Sequence, residues 1–207
     1  KQYSLARIPF ISFNTIEKSR ALEVCKTVSE ELCLTFYVHT LSKGMYDISN
    51  GRTVNDDKSL MGALDFIAEQ MKVKQNLTFI LTEVSDIESN TMTARYLLDV
   101  VSLAEENGGV IIALTTSTVW GQLQRTGMSL VLDLPNEEEM LEIIKENIEP
   151  YKNDIIIEWD NNDYREAATI LTGVTQIEAQ NVIVSLVANK AIKKSDLTEL
   201  KFAKNKL

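Results

Sequence analysis

At 207 residues, 44% hydrophobic and 25% charged, the chain is large enough to bury one ordinary core plus a small appendage without covalent staples. A net charge of −9 argues against a broad nucleic-acid surface, and with no CxxC or His/Cys cluster among two cysteines and one histidine, disulfide and zinc readings are weak. No apolar run approaches the ~18 residues of a membrane-spanning helix and no signal-peptide pattern opens the chain. It begins at Lys1 with no methionine, which reads as a fragment of something longer.

The first element is a short apolar strand, Ile8 to Phe13. It runs into Asn14-Thr15-Ile16-Glu17-Lys18-Ser19-Arg20, with no glycine-rich loop. A helical period follows at Ile16, Ala21, Leu22, Val24, Cys25, Val28 and Leu32. Leu34–His39 returns to strand composition. Residues 40–58, polar and holding Gly44 and Gly51, read as a long loop. Ser59 predicts the cap of a helix running to about Val73. Leu77–Leu81 is an uninterrupted apolar strand, 91–107 a helix, and Val110–Leu114 a second such strand. Strands apolar on both faces, separated by helices, predict a parallel sheet covered on both sides. Leu130–Leu134 is the fifth strand. Pro135-Asn136 then opens a helix with Glu137, Glu138 and Glu139 in its first turn, where acids suit the positive end of the helix dipole.

After about residue 150 the strands give out, and Ile155–Trp159 is ambiguous. Helices at about 161–171, 175–189 and 195–206 follow. The expectation is α/β: a three-layer parallel sheet of about five strands with helices on both faces over residues 1–150, then a small helical lid over 151–207. Cys25 and Cys33 read as buried thiols of a reducing compartment. Residues 190–207 carry six lysines against Asp196 and Glu199, about +4 against about −13 for the rest. That tail reads either as a solvated helix face or as a docking segment for an acidic partner.

Two stretches in this order resemble an AAA+ module. Val131-Leu-Asp-Leu-Pro-Asn-Glu-Glu-Glu-Met-Leu-Glu-Ile-Ile144 is similar to the AAA+ link from last strand to lid. Ala168-Thr-Ile-Leu-Thr-Gly-Val-Thr-Gln-Ile-Glu-Ala-Gln-Asn181 resembles the helix–Gly–helix turn of the lid. The opening Arg7-Ile8-Pro9-Phe10-Ile11 and the helix from Glu17 to Glu23 resemble the degenerate N-terminal module of a cyanobacterial and chloroplast two-module AAA+ family.

What the resemblance implies is specific. An AAA+ ATPase needs glycines and a lysine around the phosphates and a carboxylate for magnesium. None of the eight glycines builds a phosphate loop, and bulky Ile16 and acidic Glu17 precede Lys18-Ser19 where phosphates need backbone access. Leu81-Thr82-Glu83 takes the place of the magnesium-holding Asp-Glu, with Thr82 a weaker ligand than a carboxylate. Thr115 sits where a first sensor residue would. Arg125 resembles an arginine finger acting in trans, and the lid offers no second-sensor arginine at Glu178-Ala179-Gln180-Asn181. His39 and Asp56-Asp57 read as residues of no catalytic role.

The resemblance therefore implies a non-catalytic module serving assembly or regulation of an adjacent or downstream AAA+ ATPase. ATP and Mg2+ would be held by that module, with no cofactor on this chain. The partner would be that module or another protein, with a homo-oligomer in the parent. Neither membrane nor direct nucleic-acid binding is expected, and the compartment would be the cytoplasm or a chloroplast stroma. Two alternatives stay open: a nucleotide-binding ATPase with a non-standard site at Glu83, Thr115 and Arg125, and an inert clamp-loader-like subunit.

Overall fold

A computed structural model of the chain describes residue 2 and residues 6–205. It divides into two units, residues up to Leu132 and Asp133 onward.

In the first unit, β1 (Phe10–Asn14), β2 (Phe36–Thr40), β5 (Thr78–Leu81), β6 (Val110–Thr115) and β7 (Gly127–Val131) form a parallel sheet in the order β2-β5-β6-β1-β7. Alternation along each strand feeds two cores. Ile11, Phe13, Phe36, Val38, Ile80, Ile112 and Leu114 pack with Ala21 and Cys25 of α1 (Lys18–Leu32). Phe10, Phe79, Leu81, Ile111 and Ala113 pack on the opposite side with Leu64, Ile67 and Met71 of α2 (Leu60–Val73) and Leu97, Val100 and Val101 of α3 (Met92–Glu106). The expected α/β architecture, a mostly parallel sheet between helical layers, is what folds. Ser59 caps α2 as the sequence predicts, its hydroxyl accepting the Gly62 N–H at 3.0 Å.

Three local expectations change. Residues 40–58 are a hairpin, β3 (Gly44–Asp47) and β4 (Thr53–Asn55), which extends the sheet to seven strands by antiparallel pairing on β2. Gly44, where β2 turns into β3, has φ +74°, and a Cβ there would lie 2.5 Å from the Asn55 carbonyl oxygen, so that turn takes only glycine. The fifth strand is 127–131 and not 130–134, because the ladder runs from Phe10↔Gly127 to Asn14↔Val131 and β1 ends there. Ile16 lies outside α1 and is 69% exposed; the helix starts at Lys18 because the Thr15 hydroxyl accepts the Glu17 N–H and closes a turn first.

The second unit begins earlier than the expected boundary at 150. α5 (Glu137–Ile148) buries Met140, Ile143, Ile144 and Ile148 against Ala167, Ala168 and Leu171 of α6 (Asn161–Leu171) and Ile183 and Leu186 of α7 (Gln176–Ala188). Its apolar face thus belongs to the helical unit, completed by α8 (Asp196–Lys204). Capping boxes at Asn136/Glu139, Asp160/Asp163 and Thr175/Glu178 start the first three helices. Gly173, at φ +94°, makes the turn between α6 and α7. The ambiguous Ile155–Trp159 segment contributes β8 (Ile156–Ile157), paired in parallel with β9 (Ala191–Ile192), so strands do not end at 150. The basic tail is engaged within this unit: Lys201 pairs with Glu166 at 3.2 Å, and Lys194 with Asp160 and Asp163 at 3.2 and 3.1 Å. Among the described residues no helix is long and apolar enough to cross a membrane.

Candidate functional site at the carboxyl edge of the sheet

Parallel strands place their carboxyl ends along one edge, where α/β proteins bind ligands. Here β1 ends at Asn14, β5 at Leu81 and β6 at Thr115. Only Thr15, Ile16 and Glu17 separate β1 from α1. The connection is held down from both sides. The Thr15 N–H donates to the Thr115 carbonyl at 2.8 Å, and the Glu17 N–H to the Thr15 hydroxyl at 2.9 Å. Glu17 itself is only 4% exposed, and its carboxylate accepts from the Arg20 guanidinium at 3.1 Å.

Lys18, the first residue of α1, reaches the Glu83 carboxylate at 2.7 Å. The next residue, Ser19, shares with Lys18, Thr40, Thr82 and Glu83 the wall of a cavity of about 320 Å³. The pairing brings the start of α1 to the residue after β5's turn-off, and only folding could show it. Thr82 is buried, and its hydroxyl donates to the His39 carbonyl at 2.9 Å, tying the ends of β5 and β2 together. Thr115 is 6% exposed, and its hydroxyl has no hydrogen-bond partner among the described residues. Arg125 ends the short helix α4 (Gly121–Arg125), exposed and without an ion pair among the described residues. Thus Glu83 is joined to Lys18, Thr115 to the start of the loop, and Arg125 to neither.

His39, near the end of β2, is fully buried. Neither ring nitrogen has a partner in hydrogen-bonding geometry among the described residues. Burial pushes its pKa below the ordinary value; the Asp57 and Lys58 backbone and the Asp57 carboxylate oppose this more weakly. Asp57 also accepts the Ser59 N–H and hydroxyl at 2.8 and 2.7 Å, a local role at the start of α2. Burial pushes the Cys25 thiol up to about 12, so it is inert, whereas Cys33 is exposed on a left-handed helix exit and not buried as expected. No group of three or more metal-ligating side chains occurs among the described residues. A second groove, about 700 Å³, lies in the helical unit among Glu137, Glu138, Glu142 and Arg165. Three carboxylates against one guanidinium make it hostile to a polyphosphate.

A family model described as the SpoVK-like AAA ATPase, N-terminal domain, matches residues 1–134. The chain belongs to this SpoVK-like AAA ATPase family. No curated protein matches it in sequence. Solved structures share the fold at low identity. The E. coli MS115-1 HORMA:CdnC:Trip13 complex aligns with TM-score 0.62 and 12% identity over 96% of this chain and 73% of that one. The FIGL-1 AAA domain in complex with ADP aligns with TM-score 0.61 and 12% identity over 95% and 70%. Thermotoga maritima RuvB aligns with TM-score 0.59 and 14% identity over 92% and 60%. The chain therefore spans only part of the length of these AAA+ proteins.

Proposed function

We propose that this SpoVK-like domain is a degenerate AAA+ module. It keeps the frame, performs no ATP hydrolysis of its own, and serves assembly or regulation of an adjacent, catalytically intact AAA+ module. The observation that carries this reading is the three-residue connection between β1 and α1. A triphosphate needs a ring of backbone N–H groups with close access. This connection has no glycine and directs the Thr15 and Glu17 amides to internal acceptors. Lys18 neutralises Glu83, the residue that would otherwise polarise an attacking water. Thr82, at the magnesium position, is bound to a carbonyl and offers no carboxylate. The residues present do not fit a nucleotide, and no catalytic step is assigned to them.

In this reading ATP and Mg2+ belong to the neighbouring module, as in the two-module family of cyanobacteria and chloroplasts that the opening strand resembles. In this reading the exposed Arg125 is the residue assigned to reach a neighbour's site. The Trip13 complex with HORMA and CdnC is a precedent for an AAA+ frame assembled with other proteins. Calorimetry with Mg-ATP is expected to give no binding heat up to millimolar nucleotide. Micromolar binding would overturn the reading. One observation favours a second reading, nucleotide binding through a non-standard site: the buried Thr115 hydroxyl without a partner among the described residues. It requires that Glu83→Gln abolish any turnover the chain shows.

A further inference from the structure

The seven-stranded sheet ends in β4 on one side and in β7 on the other, and the two edges are built differently. β4 is three residues long, and its ladder with β3 shifts register at Met45/Tyr46. Short strands and bulges are devices that keep an edge from pairing with another chain. β7 has neither. It runs five residues, Gly127-Met128-Ser129-Leu130-Val131, in unbroken register with β1, and holds no proline and no charge. Among the described residues no strand pairs with its outer side. Met128 is 39% and Val131 69% exposed, so this edge is open and apolar.

The last bond between β7 and β1 fixes which groups face outward. The Leu132 N–H donates to the Asn14 carbonyl at 3.0 Å. Successive strand residues turn their N–H and C=O to opposite sides, so Met128 and Leu130 are directed at β1, and Gly127, Ser129 and Val131 point outward. These three are symmetric about Ser129. An antiparallel copy of β7 centred there sets Ser129 opposite Ser129 and Gly127 opposite Val131, and every outward group meets a partner. Moving the centre by one residue leaves one of the three unpaired. Side chains fit the same register. Met128 falls opposite Leu130, which already packs against the α1 core, and Val131 falls opposite Gly127, which bears no side chain to crowd it. Charge fits as well. The exposed Arg125 precedes the strand by two residues, and the exposed Asp133 follows it by two. Antiparallel order brings the start of one strand to the end of the other, so unlike charges approach at both ends. A parallel copy would set like beside like.

We propose that β7 docks a second copy of this chain. The two β7 strands pair antiparallel about a two-fold axis at Ser129 and join the two sheets into one. The occupant is a second copy because the segment complements itself in length, in outward backbone groups and in terminal charge, as a two-fold interface requires. The pairing lies along the side of the sheet and stands whether or not nucleotide binds at its carboxyl ends.

The test is amide hydrogen exchange by NMR together with sedimentation, on the full 207-residue chain from micromolar to millimolar concentration. Sedimentation should show a monomer–dimer equilibrium. Exchange at the Ser129 and Val131 amides should slow about tenfold or more as dimer forms, while Met128 and Leu130, bonded to β1, stay protected throughout. Val131→Lys changes an exposed side chain and puts a charge on the edge, so it should weaken dimerisation about tenfold or more, whereas Val54→Lys on β4 should leave it within about twofold. A monomer at millimolar chain, with fast exchange at Ser129 and Val131, would overturn the proposal. Protection of those two amides that does not depend on concentration would also overturn it, because the edge would then be covered within one chain. A dimer that leaves both amides unprotected, or that Val131→Lys does not weaken, would overturn it by placing the interface elsewhere.

Discussion

The two ends of one parallel sheet are built from the same strands and differ in what they leave open. At the carboxyl edge, Lys18 meets Glu83, Arg20 meets Glu17, and the Thr82 hydroxyl meets the His39 carbonyl, while the buried Thr115 hydroxyl stays without a partner among the described residues. At the amino edge, Tyr37, Gln70 and Lys74 surround a pocket with an aromatic floor, their polar groups unengaged among the described residues. The lesson is that charge at a sheet edge does not make a site. Groups that answer each other stabilise the fold, and groups without an internal answer are available to a ligand.

The comparison breaks most visibly at Phe79, fully buried beneath the pocket. Phe79→Ala should cost about 3–5 kcal/mol in urea unfolding, because it removes a ring shared by the α2 core and the pocket floor. A small loss would show that the pocket's walls collapse easily.

The next effect is a pH dependence centred on His39, whose pKa is lowered in the folded state. The unfolded chain therefore binds the extra proton first. Stability should be full above the unfolded value near 6.5 and fall as pH drops below it. Urea midpoints at pH 7.5 and 5.5 measure the change, and His39→Gln should flatten it. An unchanged slope in the variant would assign the acid sensitivity to other groups.

Thr115→Val should raise stability by about 1 kcal/mol, since it removes a buried hydroxyl left unsatisfied among the described residues and keeps the shape. A loss of stability would reveal a partner for that hydroxyl. The smallest effect is Glu83→Gln. The Lys18–Glu83 pair is more than a third exposed on both sides, so its removal should cost under about 1 kcal/mol and vanish in 1 M salt.

The parts that were legible in the sequence are those specified locally. Ser59 announces α2, Pro135-Asn136 with three glutamates announces α5, and apolar runs at 77–81 and 110–114 announce the buried parallel strands β5 and β6. The hairpin of β3 and β4 was not legible. Its strands are short and polar, and they exist only as continuations of β2's ladder. The boundary near 132 was hidden for the same reason, because the apolar face of α5 does not state which core it enters. Of the residues read as site remnants, Thr82 and Glu83 do lie at a strand end, yet Lys18 and the His39 carbonyl that engage them come from distant elements.

Sequence alone determined that no glycine joins β1 to α1. The absence of glycines between β1 and α1 is a property of residue types, which no packing can supply. Tertiary structure alone decided how the polar groups are paired. Whether Lys18 or Lys74 stands answered depends on which side chains folding brings within about 4 Å, the range over which a Coulomb pair counts in water. Lys18 has Glu83 at 2.7 Å, and Lys74 has aromatic walls.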